Sequence, residues 1–290
     1  MDGLLVVNNF DQSDKFSELY ALLSGAAKDA GMTIRVVKTG EIPHNLDYIK
    51  PIKCDFVLFW DKDVLLARMF EACGFQVFNS ASSIFYCDNK AYTSLKLQQA
   101  GIKTPRTFIA PLTFERLGYN NLEFAERAAG IIGFPLIVKE LYGSFGQQVY
   151  LVQNGQELAS RIKSFGSREF LMQEFIEHSA GRDVRVNVVG NRVVSSILRH
   201  SETGDFRSNI SNGGSMEKYE TNEEQKALAL RACRALGLDF AGVDILFGAD
   251  DEPIICEVNS NPHFKSSLDC TGVDMSKLIL RHIKEKMLRR

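Results

Sequence analysis

Asp244, Glu257 and Asn259 are the residues of this sequence whose types and spacing point most directly to chemistry. They lie in the stretch from Gly242 to Pro262, GVDILFGADDEPIICEVNSNP. Two apolar runs, Val243 to Phe247 and Ile254 to Val258, flank a polar tip with Gly248, Asp250, Asp251 and Pro253, a pattern that predicts an antiparallel hairpin. Side chains alternate along a strand, so Glu257 and Asn259 should share one face, with Cys256 and Val258 on the other. Counting back through the tip places Asp244 opposite Glu257. Two half-buried carboxylates repel each other and lose hydration, so they need a proton, a basic partner or a cation. An all-oxygen donor set suits a hard ion such as magnesium, which keeps some water and completes its shell with phosphate oxygens. The hairpin therefore reads as a magnesium-nucleotide site. Read alone, it fits equally well an amphipathic hairpin with its carboxylates in solvent.

Upstream residues bear on that choice. Lys139 follows Leu136-Ile137-Val138 at the end of an expected strand and precedes Gly143-Ser144-Phe145-Gly146, after which Val149 to Val152 resumes an extended pattern. A glycine-rich hairpin can bring backbone N–H groups close to a phosphate, and the lysine adds charge. A surface hairpin with a lysine reaching to water would have the same sequence. Further on, Asp183, Arg185 and Asn187 alternate with valines and share one face of an expected strand, either lining a site or forming a solvated face.

The elements that must position these residues follow from periodicity. Leu4 to Val7, Met32 to Lys38, Asp55 to Phe59 and Phe75 to Phe78 read as strands, alternating with helices at Phe16 to Ala30 and Val64 to Ala72. This is the order of a parallel sheet flanked by helices, running to about Ser80. Its first turn contains no glycine, so a dinucleotide fingerprint is absent. One helix is expected over Ser82 to Gln99, closed by Gly101, and others over Leu122 to Ile132, Gln156 to Phe165, Glu223 to Leu236 and Met275 to Leu288. The basic residues of the last helix, Lys277, Arg281, Lys284, Lys286, Arg289 and Arg290, read as a solvated face that suits the helix dipole.

Composition excludes several classes. The 290 residues carry a formal net charge of -2, which gives no overall reason to expect nucleic acid or an anionic membrane as partner. Six cysteines and five histidines are scattered without zinc-type spacing or a disulfide framework. The expectation is a cytoplasmic protein without a membrane span.

Taken in order, these residues resemble the ATP-grasp superfamily, and within it the RimK-type ligases that join an amino acid to a carboxylate. The resemblance is carried by Asp88-Asn89-Lys90, Ala100-Gly101-Ile102 with Pro105, Val138-Lys139, Gly143-Ser144 with Gly146, Gln173-Glu174-Phe175-Ile176, Asp183 with Arg185, Arg207-Ser208-Asn209, Gly213-Gly214, Asp244 and Glu257-Val258-Asn259. It implies an α/β fold with an ATP-grasp core, whose nucleotide lies between two sheet-bearing lobes. Residues 1–85 would form an amino-terminal α/β domain and 86–290 the ATP-grasp part, with a lid lobe over about 102–175 and a metal-binding lobe over 176–290. Lys90, Lys139 and the Gly143 to Gly146 flap would hold phosphates, and Glu174, Phe175 and Ile176 the adenine. Asp183 would meet the ribose, Arg207, Ser208 and Asn209 would also contact the nucleotide, and Arg185, Arg207 and Asn209 would face the reacting groups. Asp244, Glu257 and Asn259 would bind magnesium, with manganese as a substitute.

The implied reaction activates a carboxylate as an acyl phosphate and joins it to an amine, releasing ADP and phosphate. Its substrates would be small molecules or peptides, with homo-oligomerisation open. The same scaffold also admits a kinase acting on a hydroxyl, or a nucleotide-binding protein without catalysis. Two departures from the family pattern stand out. Ser260-Asn261-Pro262-His263-Phe264-Lys265 replaces the usual Ser-Pro-Gly turn, so that His263 and Phe264 could line the acceptor pocket, and Glu140 stands where a proline is common after Lys139.

Overall fold

The computed structural model describes residues 1–11, 13–143, 146–208 and 214–289. The chain opens with β1 (Asp2–Val7), α1 (Asp14–Asp29), β2 (Thr33–Lys38), α2 (Leu46–Ile49), β3 (Phe56–Trp60), α3 (Val64–Ala72) and β4 (Val77–Phe78). These four strands form a parallel sheet in the order β2-β1-β3-β4. The apolar runs of β1 and β3 are buried on both faces, as expected of strands covered by crossover helices.

Two helices follow, α4 (Ala81–Asp88) and α5 (Lys90–Gln99), where the periodicity predicts one. The break is made by Asn89, whose Oδ1 accepts from the backbone N–H groups of Ala91 and Tyr92 at 3.0 and 3.2 Å. A side chain that satisfies N-terminal donors in this way starts a new helix rather than continuing the old one. The Lys90 N–H is directed to Leu141 O at 3.0 Å, which ties the start of α5 to the Gly-rich hairpin.

Next come β5 (Thr107–Ile109), α6 (Glu123–Ile132), β6 (Leu136–Glu140), β7 (Val149–Val152), α7 (Gly155–Phe165) and β8 (Phe170–Glu174). They build a small antiparallel sheet, ordered β5-β8-β6-β7, on the core of α6 and α7. The rest is β9 (Arg182–Val189), β10 (Arg192–Ser201), β11 (Gly214–Lys218), α8 (Glu223–Leu236), β12 (Phe240–Phe247), β13 (Pro253–Asn259), α9 (Lys265–Thr271) and α10 (Met275–Leu288). Its antiparallel sheet runs β11-β10-β9-β12-β13, with α8 packed against it. Neither β11 nor α9 is expected from the sequence: β11 is a polar edge strand, and KSSLDCT has no apolar face at helical spacing.

The amino-terminal sheet and the five-stranded sheet share one core. Leu5, Leu19, Leu23 and Phe56 pack in the same cluster as Phe240, Phe264, Ile279 and Ile283. Asn79, fully buried, links the two further: its Nδ2 donates to Phe240 O at 2.9 Å and Ser260 O at 2.8 Å, and its Oδ1 accepts from Asp239 N at 2.7 Å. The ends of the β12–β13 hairpin are thereby fixed to the first sheet.

The basic face expected for α10 is solvent-exposed at Lys277, Arg281, Lys286 and Arg289, but part of its charge also makes contacts with the rest of the chain. Lys284 donates to Ala30 O at 2.6 Å, and Lys277 pairs with Asp29 at 3.3 Å. His282 and Lys286 both reach Asp239, at 2.8 and 2.6 Å. Burial pushes the Asp239 carboxyl up, but the hydrogen bonds from His282 and Lys286 outweigh it and hold the group below its usual value. Charge on this helix therefore docks it, alongside the apolar face of Met275, Ile279, Leu280 and Ile283.

Candidate functional site

A cavity of about 540 Å³ opens where the three sheets meet. Its floor is the β12–β13 hairpin. Asp244 pairs in register with Glu257, and Gly242 with Asn259, so the three oxygen-bearing residues are brought onto one patch lining the cavity. A register shift between Asp244 and Ile245 marks a β-bulge, and Cys256 lines the cavity next to Glu257. The alternation that puts Cys256 on the opposite face is thus corrected, because the extra residue in a bulge lets two successive side chains point the same way.

The partner that Asp244 requires is supplied by the protein. Arg185, opposite Asp244 on β9, grips it side-on, with Nη2 to Oδ2 at 2.8 Å and a second contact from Nε to Oδ1. Arg199 on β10 adds Nη2 to Asp244 Oδ1 at 3.1 Å, and also holds Asp183, with Nε to Oδ1 at 2.7 Å and Nη2 to Oδ2. The result is a buried alternation of two carboxylates and two guanidiniums. Burial alone would raise the Asp244 carboxyl, but Arg185 and then Arg199 hold it below its ordinary value. Gly242 leaves room for this: a Cβ there would fall 2.9 Å from Pro262 Cβ and 3.0 Å from Arg185 Nη1.

Arg199 is the residue that sequence reasoning missed. Counting outward from the Gly190-Asn191 turn puts Leu198 opposite Asp183, but a bulge between Val193 and Ser195 shifts the register by one and brings Arg199 there. No local sequence signal marks that bulge.

The opposite wall comes from the small sheet. Lys139, on β6, donates to Gln173 Oε1 at 2.6 Å, and its Nζ lies 3.8 Å from Cys256 Sγ across the cleft. Lys90, at the start of α5, donates to Gly143 O at 2.9 Å and lines an adjoining smaller space with Lys139, Cys256 and Glu257. Burial lowers the Lys90 ammonium pKa, while the Glu257 charge acts in the other direction. Gly143 and Gly146 line the main cavity, and Gly146 O accepts from Arg207 Nη1 at 2.8 Å. Arg207 is itself paired with Asp205, with Nη2 to Oδ2 at 2.6 Å.

Glu174, Phe175 and Ile176 lead from β8 towards the five-stranded sheet and line the cavity, as does Ser208. Glu174 Oε2 accepts from Arg106 N at 3.1 Å, and the Phe175 ring meets Phe206 edge-on at 6.2 Å. Ser144, Asn209 and Gly213 lie outside the described residues. Glu140 is buried and paired with Arg168, Nη1 to Oε2 at 2.9 Å, a role that accounts for a charged residue where the family pattern has proline.

The turn after β13 divides its two bulky residues. His263 lines the cavity, edge-on to Phe16 at 5.7 Å, and burial followed by the charge of Lys15 pushes its pKa down to about 4. Phe264 instead enters the core, edge-on to Trp60 at 5.9 Å, so the expectation that it could line the acceptor pocket is corrected.

The donor set fits a hard divalent ion in type: Asp244, Glu257 and Asn259 offer oxygen only, at one patch facing the cleft. Among the described residues no cluster of three or more His, Cys, Asp or Glu side chains could hold a metal, so such an ion would depend on the asparagine and on oxygens from a ligand. No described helix is long and apolar enough to cross a membrane.

Residues 87–283 match the family described as the RimK-like ATP-grasp domain. The chain is 37% identical over 250 residues to an uncharacterised protein, the MG012 homologue of Mycoplasma pneumoniae, covering 85% of this chain and 86% of the relative. It is 33% identical over 262 residues to a probable alpha-L-glutamate ligase of Trichodesmium erythraeum, covering 90% and 84%. Its fold is similar to that of a RimK domain ATP-grasp protein from Sphaerobacter thermophilus, with a TM-score of 0.76, 21% identity, and coverage of 97% and 99%.

Proposed function

The chain belongs to the RimK-like ATP-grasp family and is an ATP-dependent carboxylate–amine ligase, and we propose that the cleft between its sheets binds ATP against the small sheet and the reacting carboxylate above the β12–β13 floor. The observation that carries this reading is the convergence of opposite charges from separate elements: Lys139 of β6 and Lys90 of α5 on one wall, Asp244 and Glu257 on the other, with Cys256 Sγ and Lys139 Nζ only 3.8 Å apart between them. In this reading residues 1–85 form the amino-terminal domain, 102–175 the lid lobe and 176–290 the floor.

Lys139 and Lys90 donate to phosphate oxygens and neutralise their charge. Each currently donates to a neutral oxygen, Gln173 Oε1 and Gly143 O, which a phosphate would outcompete because charge-assisted hydrogen bonds are stronger. The backbone of Glu174 to Ile176 receives the adenine, and Asp183 lies at the ribose. Asp244, Glu257 and Asn259 would hold magnesium, which supplies charge neutralisation at the phosphates when bound. A substrate carboxylate oxygen attacks the terminal phosphorus, the bond to the ADP oxygen breaks, and ADP leaves with the electron pair. An amine nitrogen then attacks the acyl carbon, phosphate leaves, and the amine proton passes to solvent or phosphate. Arg185 and Arg207 face the anionic charge that develops in both steps. Gly143 and Gly146 cover the acyl phosphate against water, Gly146 O being tied to the larger lobe by Arg207 Nη1 at 2.8 Å.

The test is ADP release by the purified chain with ATP and magnesium across panels of amino acids and carboxylates. Amine-dependent ADP and free phosphate, formed together with an amide product, are expected. A stable phosphorylated product, or nucleotide turnover indifferent to every amine, overturns the reading.

A further inference from the structure

At the amino-terminal end of the cleft, three side chains outside the set assigned above carry buried polar atoms that nothing in the protein satisfies: Trp60 Nε1, Asp61 Oδ2 and Asn261 Oδ1. All three residues line the main cavity, although Trp60 is only 3% and Asp61 only 7% exposed. Native interiors leave few polar atoms unpaired, so three beside one cavity mark a place built for a ligand.

Position in the fold agrees. In the sheet order β2-β1-β3-β4 the chain departs to opposite sides from β1 and β3, and the crevice beyond their carboxyl ends is where open α/β sheets bind ligands. Trp60 ends β3 and Asp61 follows it. Asp61 is held rigidly, its Oδ1 accepting from the backbone N–H groups of Lys62 at 2.6 Å and Asp63 at 2.9 Å. The Asn8 side chain also bonds the carboxylate, burial raises its pKa against these bonds, and Oδ2 is the oxygen left over. Asn261 is oriented by its own donation from Nδ2 to Asp61 O at 2.8 Å, which leaves its Oδ1 over. The turn that differs from the family pattern therefore delivers an acceptor to the same spot as the end of β3.

The wall has acidic character. Asp11 also lines the cavity, and the Tyr20 hydroxyl is pushed up to about 12 by burial and by the charges of Asp11 and Asp61. Lys62 does not cancel this, since it is paired with Asp88 at 2.6 Å, and Lys15 lies close enough to Asp11 for their charges to interact. Two unpartnered acceptors, one of them a carboxylate oxygen, and one unpartnered donor call for a ligand with the reverse pattern.

We infer that Asp61, Asn261 and Trp60 form the subsite that receives a substrate's ammonium group, Asp61 Oδ2 and Asn261 Oδ1 accepting two of its N–H bonds while the Trp60 indole N–H meets the carbonyl or carboxylate oxygen beside it. That pattern is shared by a free amino acid and by the amino terminus of a peptide. The inference deepens the ligase reading and rests on it for the statement that the ligand is a substrate.

The full chain, loaded with magnesium and the non-hydrolysable analogue AMPPNP, is titrated calorimetrically with L-alanine, alanyl-alanine, propylamine and propionate. L-Alanine or alanyl-alanine binds, whichever is the source, with propylamine weaker and propionate weakest. Asp61→Asn, which preserves shape and the Oδ1 hydrogen bonds, weakens the tighter of the first two about tenfold or more, the effect of a buried charge-assisted hydrogen bond. Trp60→Phe, which keeps the ring and removes the N–H, weakens it several-fold without changing AMPPNP affinity, and remains informative should Asp61→Asn fail to fold. Propionate binding as tightly as L-alanine, wild-type affinity in Asp61→Asn or Trp60→Phe, or AMPPNP binding with no ammonium probe bound overturns the subsite. Failure of AMPPNP itself to bind the wild type is the separate failure of the nucleotide reading, and the same titrations on the unloaded protein then decide the subsite.

Discussion

Asp244 and Glu257 face each other across two strands but stand in different electrostatic surroundings. Asp244 is 5% exposed and shared by Arg185 and Arg199, so removing its charge strands Arg185 in a largely dry site and leaves Arg199 with Asp183 alone. Asp244→Asn should therefore lose stability, by about 3 kcal/mol in denaturant unfolding, as well as ADP release. Glu257→Gln should abolish magnesium-dependent ADP release while shifting unfolding by no more than about 1 kcal/mol. Equal stability of the two variants would show that the arginine pairing does not matter to the fold. Chelation with EDTA should likewise stop turnover and leave the melting curve nearly unchanged, since arginines already satisfy the buried carboxylate. Lys139→Ala should weaken ATP binding about ten- to a hundredfold, the worth of a charge-assisted phosphate contact; unchanged affinity in a direct binding assay would remove Lys139 from the phosphate site.

At the scale of elements, the hairpin is only as well placed as its anchorage. Asn79 pins both of its ends from another sheet, and its amide is matched by Asp239 N, Phe240 O and Ser260 O. Asn79→Ala should cost at least about 2 kcal/mol, because several buried backbone groups lose their partner at once. In kinetics it should also lower kcat by loosening the floor; a variant with wild-type stability and kcat would deny Asn79 this role. Two bulges matter as much as any residue: one in the β12–β13 pair turns Cys256 into the cleft, and one in the β9–β10 pair turns Arg199 to Asp183. Strand identity was legible in the apolar alternation, whereas these one-residue insertions were not, since a bulge is chosen by neighbouring strands rather than by local composition.

Across the whole molecule, α10 closes the chain onto its first helix and onto the start of β12, with Asp239 as the charged centre of that contact. The folded Asp239 carboxyl lies below its ordinary value, so its contribution to stability is present above the unfolded carboxylate pKa, about 3.9, and is lost as pH falls through the lower folded value. Asp239→Asn should be less stable than wild type at pH 7 and lose less stability on acidification below about pH 4. Parallel acid-unfolding curves for the two proteins would contradict this. Periodicity predicts the exposed basic face of α10 but not that Lys284 and Lys286 on it also reach Ala30 O and Asp239, which are distant in sequence.

Legible in the residues alone are most of the strand and helix order, β11, α9 and the break between α4 and α5 excepted, the register that sets Asp244 opposite Glu257, and the lysines, glycines and arginines whose resemblance points to an ATP-dependent ligase. Those features are local: alternation, turn residues and short motifs are written within a few residues of one another. Packing between sheets pairs Asp244 with Arg185 and Arg199, puts Phe264 in the core while His263 faces the cleft, and brings Trp60, Asp61 and Asn261 to one cavity, each with a polar atom unsatisfied. Each of these depends on where separate sheets come to rest against one another. Burial and partnership, unlike periodicity, are properties of that packing and of no single stretch of chain.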